Sequence, residues 1–150
     1  MQPIYHPVSV LRGLALASVV LSAGACTCGS SSPTGPVLEV KDGTGSVRPL
    51  SLKEIEDLPQ HEAALDDRTC KGVRVRDLVG GSASGVVARG SDGYTQTLAA
   101  ATGARDDVIV ACQCEGKSLS AKEGPVRLIV PGSPGLSVRN LVRLEVAARP

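Results

Sequence analysis

The chain has 150 residues, 16 basic against 15 acidic, with no Phe, no Trp and only two Tyr. A formal charge of +1 and this scarcity of rings exclude a nucleic-acid binder, which needs clustered Lys/Arg and aromatic faces. A hydrophobic content of 42% with 21% charged residues excludes a disordered chain, and nineteen Val supply apolar bulk in a form that suits strands.

Residues 1–25 have the composition of an export signal. Arg12 is their only charged residue, and the uncharged run 13–25 is too short for a bilayer, which takes about 20 residues. Ala23-Gly24-Ala25 suits ordinary signal peptidase and a soluble secreted product. Followed by Cys26 it also resembles a bacterial lipobox, with Ala23 where Leu is usual. The Ser/Gly/Pro tether over residues 26–36 favours the lipobox, and a retained helical anchor is the third reading. The expectation is an exported lipoprotein, periplasmic or outer-membrane-anchored, joined to the membrane by lipid on Cys26. After cleavage His61 is the only His and Tyr94 the only aromatic residue.

The domain then spans residues 37–150. Residues 37–41 alternate as a strand, 42–45 form a turn, and 47–50 return as a second strand. Ser51 and Glu54 have capping-box spacing, which predicts a short helix over 52–58, stopped at Pro59. Residues 60–67 are polar and expected to be a loop. Residues 69–75 read as strand and turn around Gly72, and 76–79 as a helical turn ended by Gly80-Gly81. The Gly-rich stretch 80–85 lacks Lys-Ser/Thr and leads to a strand, so it is a flexible loop rather than a phosphate cradle.

Residues 86–89 and 94–98 are strands joined by Ser91-Asp92-Gly93, because Asp-Gly tolerates the positive φ of a tight hairpin. Residues 108–114 are nearly continuously apolar, as in a central strand buried on both faces, and 126–130 repeat that pattern. Residues 141–146 alternate as a strand with one wet face. Short helices with six or more strands predict an α+β fold with a mixed β-sheet and exclude a helical bundle.

The order of these signals resembles a known family. Residues 72–79 (GVRVRDLV) are similar to the G-V-x-L-x-D-L-L segment of the sulfite-oxidase-like molybdopterin-binding domain. Ser91-Asp92-Gly93-Tyr94 resembles its S-D-G-Y hairpin, and residues 107–111 with 115–119 its D-x-L-L-A strand and following turn. Residues 124–132 (GPVRLIVPG) and 137–146 (SVRNLVRLEV) resemble its G-x-P-x-R-L stretch and its K-S-V-K-W ending. The five pieces keep their order over residues 37–147.

The resemblance implies a fold whose loops hold molybdopterin, and oxidoreduction by oxygen-atom or electron transfer with an unidentified protein or small-molecule partner. It also implies a metal-ligating Cys in a Cys-x-Gly-Asn segment well before the G-V-x-L motif, and this chain has none. Cys70 stands only two residues before Gly72, a position suited to core packing. Arg139 and Asn140 replace the family's Lys and Trp. The rival reading is a cofactor-free binding or scaffold module on the same fold. For cofactor binding the candidates are Asp92, Gly93, Tyr94 and Arg139: Gly93 lets backbone approach a ligand, and Arg139 can fork onto a phosphate. The alternative for these residues is that Tyr94 packs the hairpin and Arg139 is a surface charge.

An exported chain with five Cys asks for pairing. Cys112 and Cys114 stand i, i+2 on a strand, share one face and are too far apart to bridge. The best disulfide is therefore Cys70 with Cys112 or Cys114, against buried free thiols as the alternative. Cys70, Cys112, Cys114 and His61 could also form a soft metal site, although the spacing matches no common ligand pair. One His and no G-x-S-x-G elbow argue against nucleophilic catalysis, and Asp66-Asp67 and Asp106-Asp107 read as turn carboxylates.

Overall fold

The computed structural model describes residues 33–81 and 84–147. The export signal, Cys26, Cys28 and residues 26–32 of the tether lie outside them. β1 (Pro36–Lys41) and β2 (Val47–Ser51) form a hairpin. Its turn is held by Asp42 Oδ1, which accepts from the N–H groups of Thr44 (2.8 Å) and Ser46 (3.1 Å). Ser51 caps α1 (Leu52–Asp57) with both halves of the capping box: Glu54 N–H donates to Ser51 Oγ and Ser51 N–H to Glu54 Oε2.

β3 (His61–Leu65), β4 (Arg68–Arg74), α2 (Val75–Val79), β5 (Val86–Gly90), β6 (Thr95–Leu98) and α3 (Ala100–Gly103) follow. The chain closes with β7 (Ile109–Cys114), β8 (Lys117–Ser118), β9 (Arg127–Ile129), a 3-10 turn (Pro134–Leu136) and β10 (Leu141–Val146). One sheet has the order β2-β1-β10-β5-β6 and is mixed, because β1 and β10 run parallel while the other pairs are antiparallel. The other has the order β3-β4-β7-β8, with β9 also on β7, and is antiparallel throughout. This is the α+β architecture with a mixed sheet and short helices expected from the sequence.

The main core lies between the sheets. Leu38, Leu50, Val86, Leu98 and Leu144 from the first sheet meet Val73, Val110 and Leu128 from the second, with Ile55 of α1 and Leu78 of α2 closing the ends. Aliphatic side chains fill the space that rings occupy in many cores of this size. A second, smaller cluster covers the outer face of the second sheet: Ala63, Leu65, Cys70, Ile109, Ala111, Cys114 and Ile129. β7 is thus buried on both faces, as its unbroken apolar run requires.

Four expectations are corrected. Residues 61–65 are a strand, not part of a loop: β3 pairs with β4 from His61↔Gly72 to Leu65↔Arg68 and buries Ala63 and Leu65. Gly72 does not turn the chain but continues β4, where β7 comes too close for any side chain.

The third correction concerns the cysteines. β7 carries a bulge: Gly72 pairs with Ala111 and Lys71 with Gln113, which leaves Cys112 as the extra residue. The bulge inverts the face of everything beyond it. Cys112 therefore joins the main core and Cys114 the outer cluster, instead of sharing a face. Cys114 lies directly opposite Cys70 and is disulfide-bonded to it, while Cys112 is a buried free thiol. A bulge between Leu141 and Arg143 likewise breaks the strict alternation of β10, so Leu141 and Leu144 are both buried and Val142 is exposed.

Candidate functional site

The site is built on the outer face of the second sheet. β9 pairs with β7 in the register Ala111↔Arg127 and Ile109↔Ile129, so Arg127 and Ile129 point away from Leu128 and into the outer cluster. Arg127 is the only charged residue buried among those described, at 7% exposure. Its Nη1 donates to Glu123 Oε1 at 2.7 Å, and Arg68 Nη2 donates to the same oxygen at 2.8 Å. Ser120 Oγ–H donates to the second carboxylate oxygen at 2.8 Å. Arg127 Nε is buried with no acceptor.

The electrostatics follow from that crowding. Burial and the nearby Arg139 and Arg68 pull the Arg127 guanidinium below its ordinary range, while the Glu123 pair works in the other direction. Glu123 is held down to about 2 by the hydrogen bonds from Arg68 and Ser120. A carboxyl whose folded value lies below its ordinary 4.5 stabilises the fold above pH 4.5 and loses that contribution as pH falls toward 2. Denaturant titration at pH 5 and pH 2.5 should show a loss on the order of 2–3 kcal/mol from this group, and Glu123→Gln should remove that part of the pH dependence.

A cleft of about 300 Å³ opens over Arg127. Arg139, Asp92 and Tyr94 line it together with Ser137 of the segment before β10 and Asp66 of the β3–β4 turn. The sequence-derived candidates Asp92, Tyr94 and Arg139 therefore share one cleft. Gly93 is the residue that lets the hairpin turn, with φ of 85°, and the space above it is open. Asp92 Oδ1 accepts from Tyr94 N–H at 2.9 Å. Tyr94 Oη donates to Gly135 O at 3.0 Å and accepts from Gln96 Nε2 at 2.6 Å, which ties the hairpin to the 3-10 turn. Tyr94 thus packs as well as lines. Arg139 is exposed and makes no hydrogen bond or ion pair with another described residue. Ser137 Oγ accepts from Val130 N–H at 3.2 Å and keeps its own hydrogen to donate.

Arg127 and Asp66 escaped the sequence-derived set. The signal for Arg127 was available: a lone charge inside the apolar run 126–130 has to be a buried cation. Asp66 was set aside with Asp67 as a turn carboxylate, since nothing in its own segment ties it to the other residues of the cleft.

The cleft suits an oxyanion, with the Arg127 and Arg139 guanidiniums and a free Ser137 hydroxyl hydrogen among its lining. A thiolate metal ligand is another matter. Cys70 and Cys114 are consumed by their disulfide. Cys112 faces the main core, where burial, with Glu56 adding to it, pushes its thiol up to about 11. The soft-metal reading loses two of its four ligands to the disulfide. His61 Nε2 instead lies 4.0 Å from Asp77 Oδ2. Among the described residues no group of three or more His, Cys, Asp or Glu could hold a metal ion. The described residues fit the anionic part of a molybdopterin and not its thiolate-held metal. Asp106 pairs with Arg74 and Arg76, and Asp107 with Arg105, so those carboxylates hold turns.

Comparison with known proteins agrees with the fold. The model of the oxidoreductase molybdopterin binding domain family matches residues 45–150. No curated protein matches the sequence. Among solved structures, the fold is similar to that of the sulfane dehydrogenase SoxCD from Paracoccus pantotrophus, with a TM-score of 0.62 at 17% identity. The match covers 75% of this chain and 38% of that one, so the matched part spans well under half the length of that relative.

Proposed function

The chain belongs to the oxidoreductase molybdopterin-binding domain family, and on that premise we propose that it is an exported, lipid-anchored module whose Arg127–Arg139 cleft holds a phosphate-bearing ligand of the molybdopterin type. The observation that carries the reading is Arg127 itself. Burying a guanidinium costs several kcal/mol, and Arg127 is nine-tenths buried, lines an open cleft and shares its one described acceptor, Glu123, with Arg68. An anion in the cleft would draw on the Arg127 and Arg139 guanidiniums together.

Binding without redox chemistry is the form the thiols support. A bound molybdopterin would supply oxygen-atom or electron transfer. In this chain Arg127, Arg139 and the Ser137 hydroxyl would hold its phosphate, and no described thiol is placed to ligate its metal. The family match favours the second reading, a redox enzyme with a partner protein or small molecule.

Calorimetry with inorganic phosphate tests the site. The wild-type protein should bind, and Arg127→Gln should weaken binding by about tenfold or more, the worth of a charge-assisted hydrogen bond. Phosphate that fails to bind the wild type overturns the reading. Metal analysis of the natively exported protein separates its two forms, since stoichiometric molybdenum would favour the enzyme. The anchor predicts a diacylated Cys26 in the membrane fraction, and Cys26→Ala should release the protein from it.

A further inference from the structure

The first sheet has one face in the main core and one that the described residues leave open. Leu38, Val40, Ala88 and Leu144 point into the core, so the residues that alternate with them point outward. Glu39, Arg143 and Arg89 lie side by side in one outward row across β1, β10 and β5, and Lys41, Glu145 and Val87 in the next. Arg143 Nε stands 3.7 Å from Glu39 Oε2 and 3.7 Å from Glu145 Oε2, which puts these three side chains together on the open face. Val47 of β2, opposite Lys41, is 47% exposed, and Val142, at the β10 bulge, is 38% exposed. They are two of the three exposed large hydrophobic residues among those described. Parallel strands usually lie in sheets covered on both sides, yet the parallel β1–β10 pair carries this open face.

The charges on β1 and β10 form a checkerboard. β1 carries Glu39 and Lys41, and β10 sets Arg143 beside Glu39 and Glu145 beside Lys41. Turning this pattern over about an axis in the plane of the sheet lays every charge on one of opposite sign, whether the axis runs along the strands or across them. The face is therefore complementary to itself, as an isologous two-fold contact requires. Sheets pack face to face about 10 Å apart, a gap that Glu, Lys and Arg side chains span when they reach from both sides. An anionic lipid surface would meet both carboxylates at the centre of the face, so the alternating signs argue against a membrane as the occupant. Five strands about 4.8 Å apart make a small face, which suits a concentration-dependent dimer.

We infer that the outer face of the first sheet is the surface through which two copies of this chain associate, with Glu39, Lys41, Arg143 and Glu145 of each copy meeting the opposite charges of the other. Val47 and Val142 supply the apolar contact around that centre. The surface uses none of the residues that line the cleft, so it stands apart from the anion-binding reading.

Sedimentation equilibrium on the Cys26→Ala/Cys28→Ala chain tests it, because that chain can be neither lipidated nor cross-linked through the tether. A monomer–dimer equilibrium should appear at micromolar concentration and weaken as salt is raised. Glu145→Lys should weaken it by about tenfold or more, since like charges then face each other. Inverting all four charges (Glu39→Lys, Lys41→Glu, Arg143→Glu and Glu145→Arg) rebuilds the checkerboard and should restore association. That rescue also separates a lost contact from a lost fold. Mixed with the uninverted chain, the inverted one should form no mixed dimer, because the two patterns lay like charge on like. Lys117→Glu, on β8 of the second sheet, should leave the equilibrium unchanged. A chain that stays monomeric up to millimolar concentration overturns the inference. So does a dimer that Glu145→Lys leaves intact, an inverted chain that does not associate, or a mixed dimer.

Discussion

Removing the Cys70–Cys114 disulfide, by reduction or as Cys70→Ala/Cys114→Ala, should lower the unfolding free energy by about 4 kcal/mol. The bond joins residues 44 apart, and the chain-entropy cost of closing a loop of that length in the unfolded state is of this size. The enclosed segment includes α2, β5, β6 and α3. It leaves the second sheet, supplies two strands of the first and returns to the second at β7. An uncrosslinked unfolded chain has that whole excursion free. Urea unfolding of the oxidised and reduced protein measures the difference at constant sequence, and the double variant checks that reductant acts only at this bond. A loss under about 1 kcal/mol would mean that sheet packing alone fixes the excursion. Cys112 should remain unreactive until the protein unfolds, because its thiol is buried and pushed up to about 11.

Local features of the chain were legible because their physics is local. The Ser51–Glu54 capping box, the Asp92-Gly93 hairpin and the Asp42 turn each close on residues within four positions, so spacing alone specifies them. The doubly buried β7 was legible from an unbroken apolar run. What escaped depends on partners distant in sequence. β3 has only Ala63 and Leu65 to bury, too little to announce a strand; its pairing with β4 is what makes it one. The alternation rule placed Cys112 beside Cys114, and a bulge set by the approach of β4 to β7 separates them. α3 has no side-chain cap, so nothing in residues 99–104 announced it.

The site divides along the same line. Asp92, Tyr94 and Arg139 stood out as a hairpin and a terminal basic residue, and the fold does bring them to one cleft. Arg127 and Asp66 reach it from β9 and from the β3–β4 turn, through the β7–β9 and β3–β4 registers. Their juxtaposition exists only once the second sheet is assembled. That sheet also bears on the chemistry, because while its β7–β9 pairing sets Arg127 at the cleft, its β4–β7 pairing brings Cys70 and Cys114 together as a disulfide and so removes them as metal ligands.

Gly72→Ala should cost more than about 4 kcal/mol or prevent folding, which places it among the exceptional single substitutions. A Cβ at Gly72 would lie 2.0 Å from Val110 O and 2.5 Å from both Val110 C and Ala111 Cα. These are backbone atoms of β7, so no rotamer change relieves the overlap and the strands themselves must part. β4 and β7 are the two central strands of the second sheet, and their separation would disturb the bulge at Cys112, the disulfide and the β9 register that buries Arg127. The glycine that opens the GVRVRDLV segment is therefore explained by close backbone approach, not by a turn. Gly35→Ala is the matched control: nothing lies within 4 Å of its added Cβ and its φ is not positive, so its effect should stay within about 0.5 kcal/mol. Comparing the two by urea unfolding isolates the β4–β7 approach. If Gly72→Ala lost less than about 1 kcal/mol, the register of the second sheet would have to be different, and with it the position of Arg127 beneath the cleft.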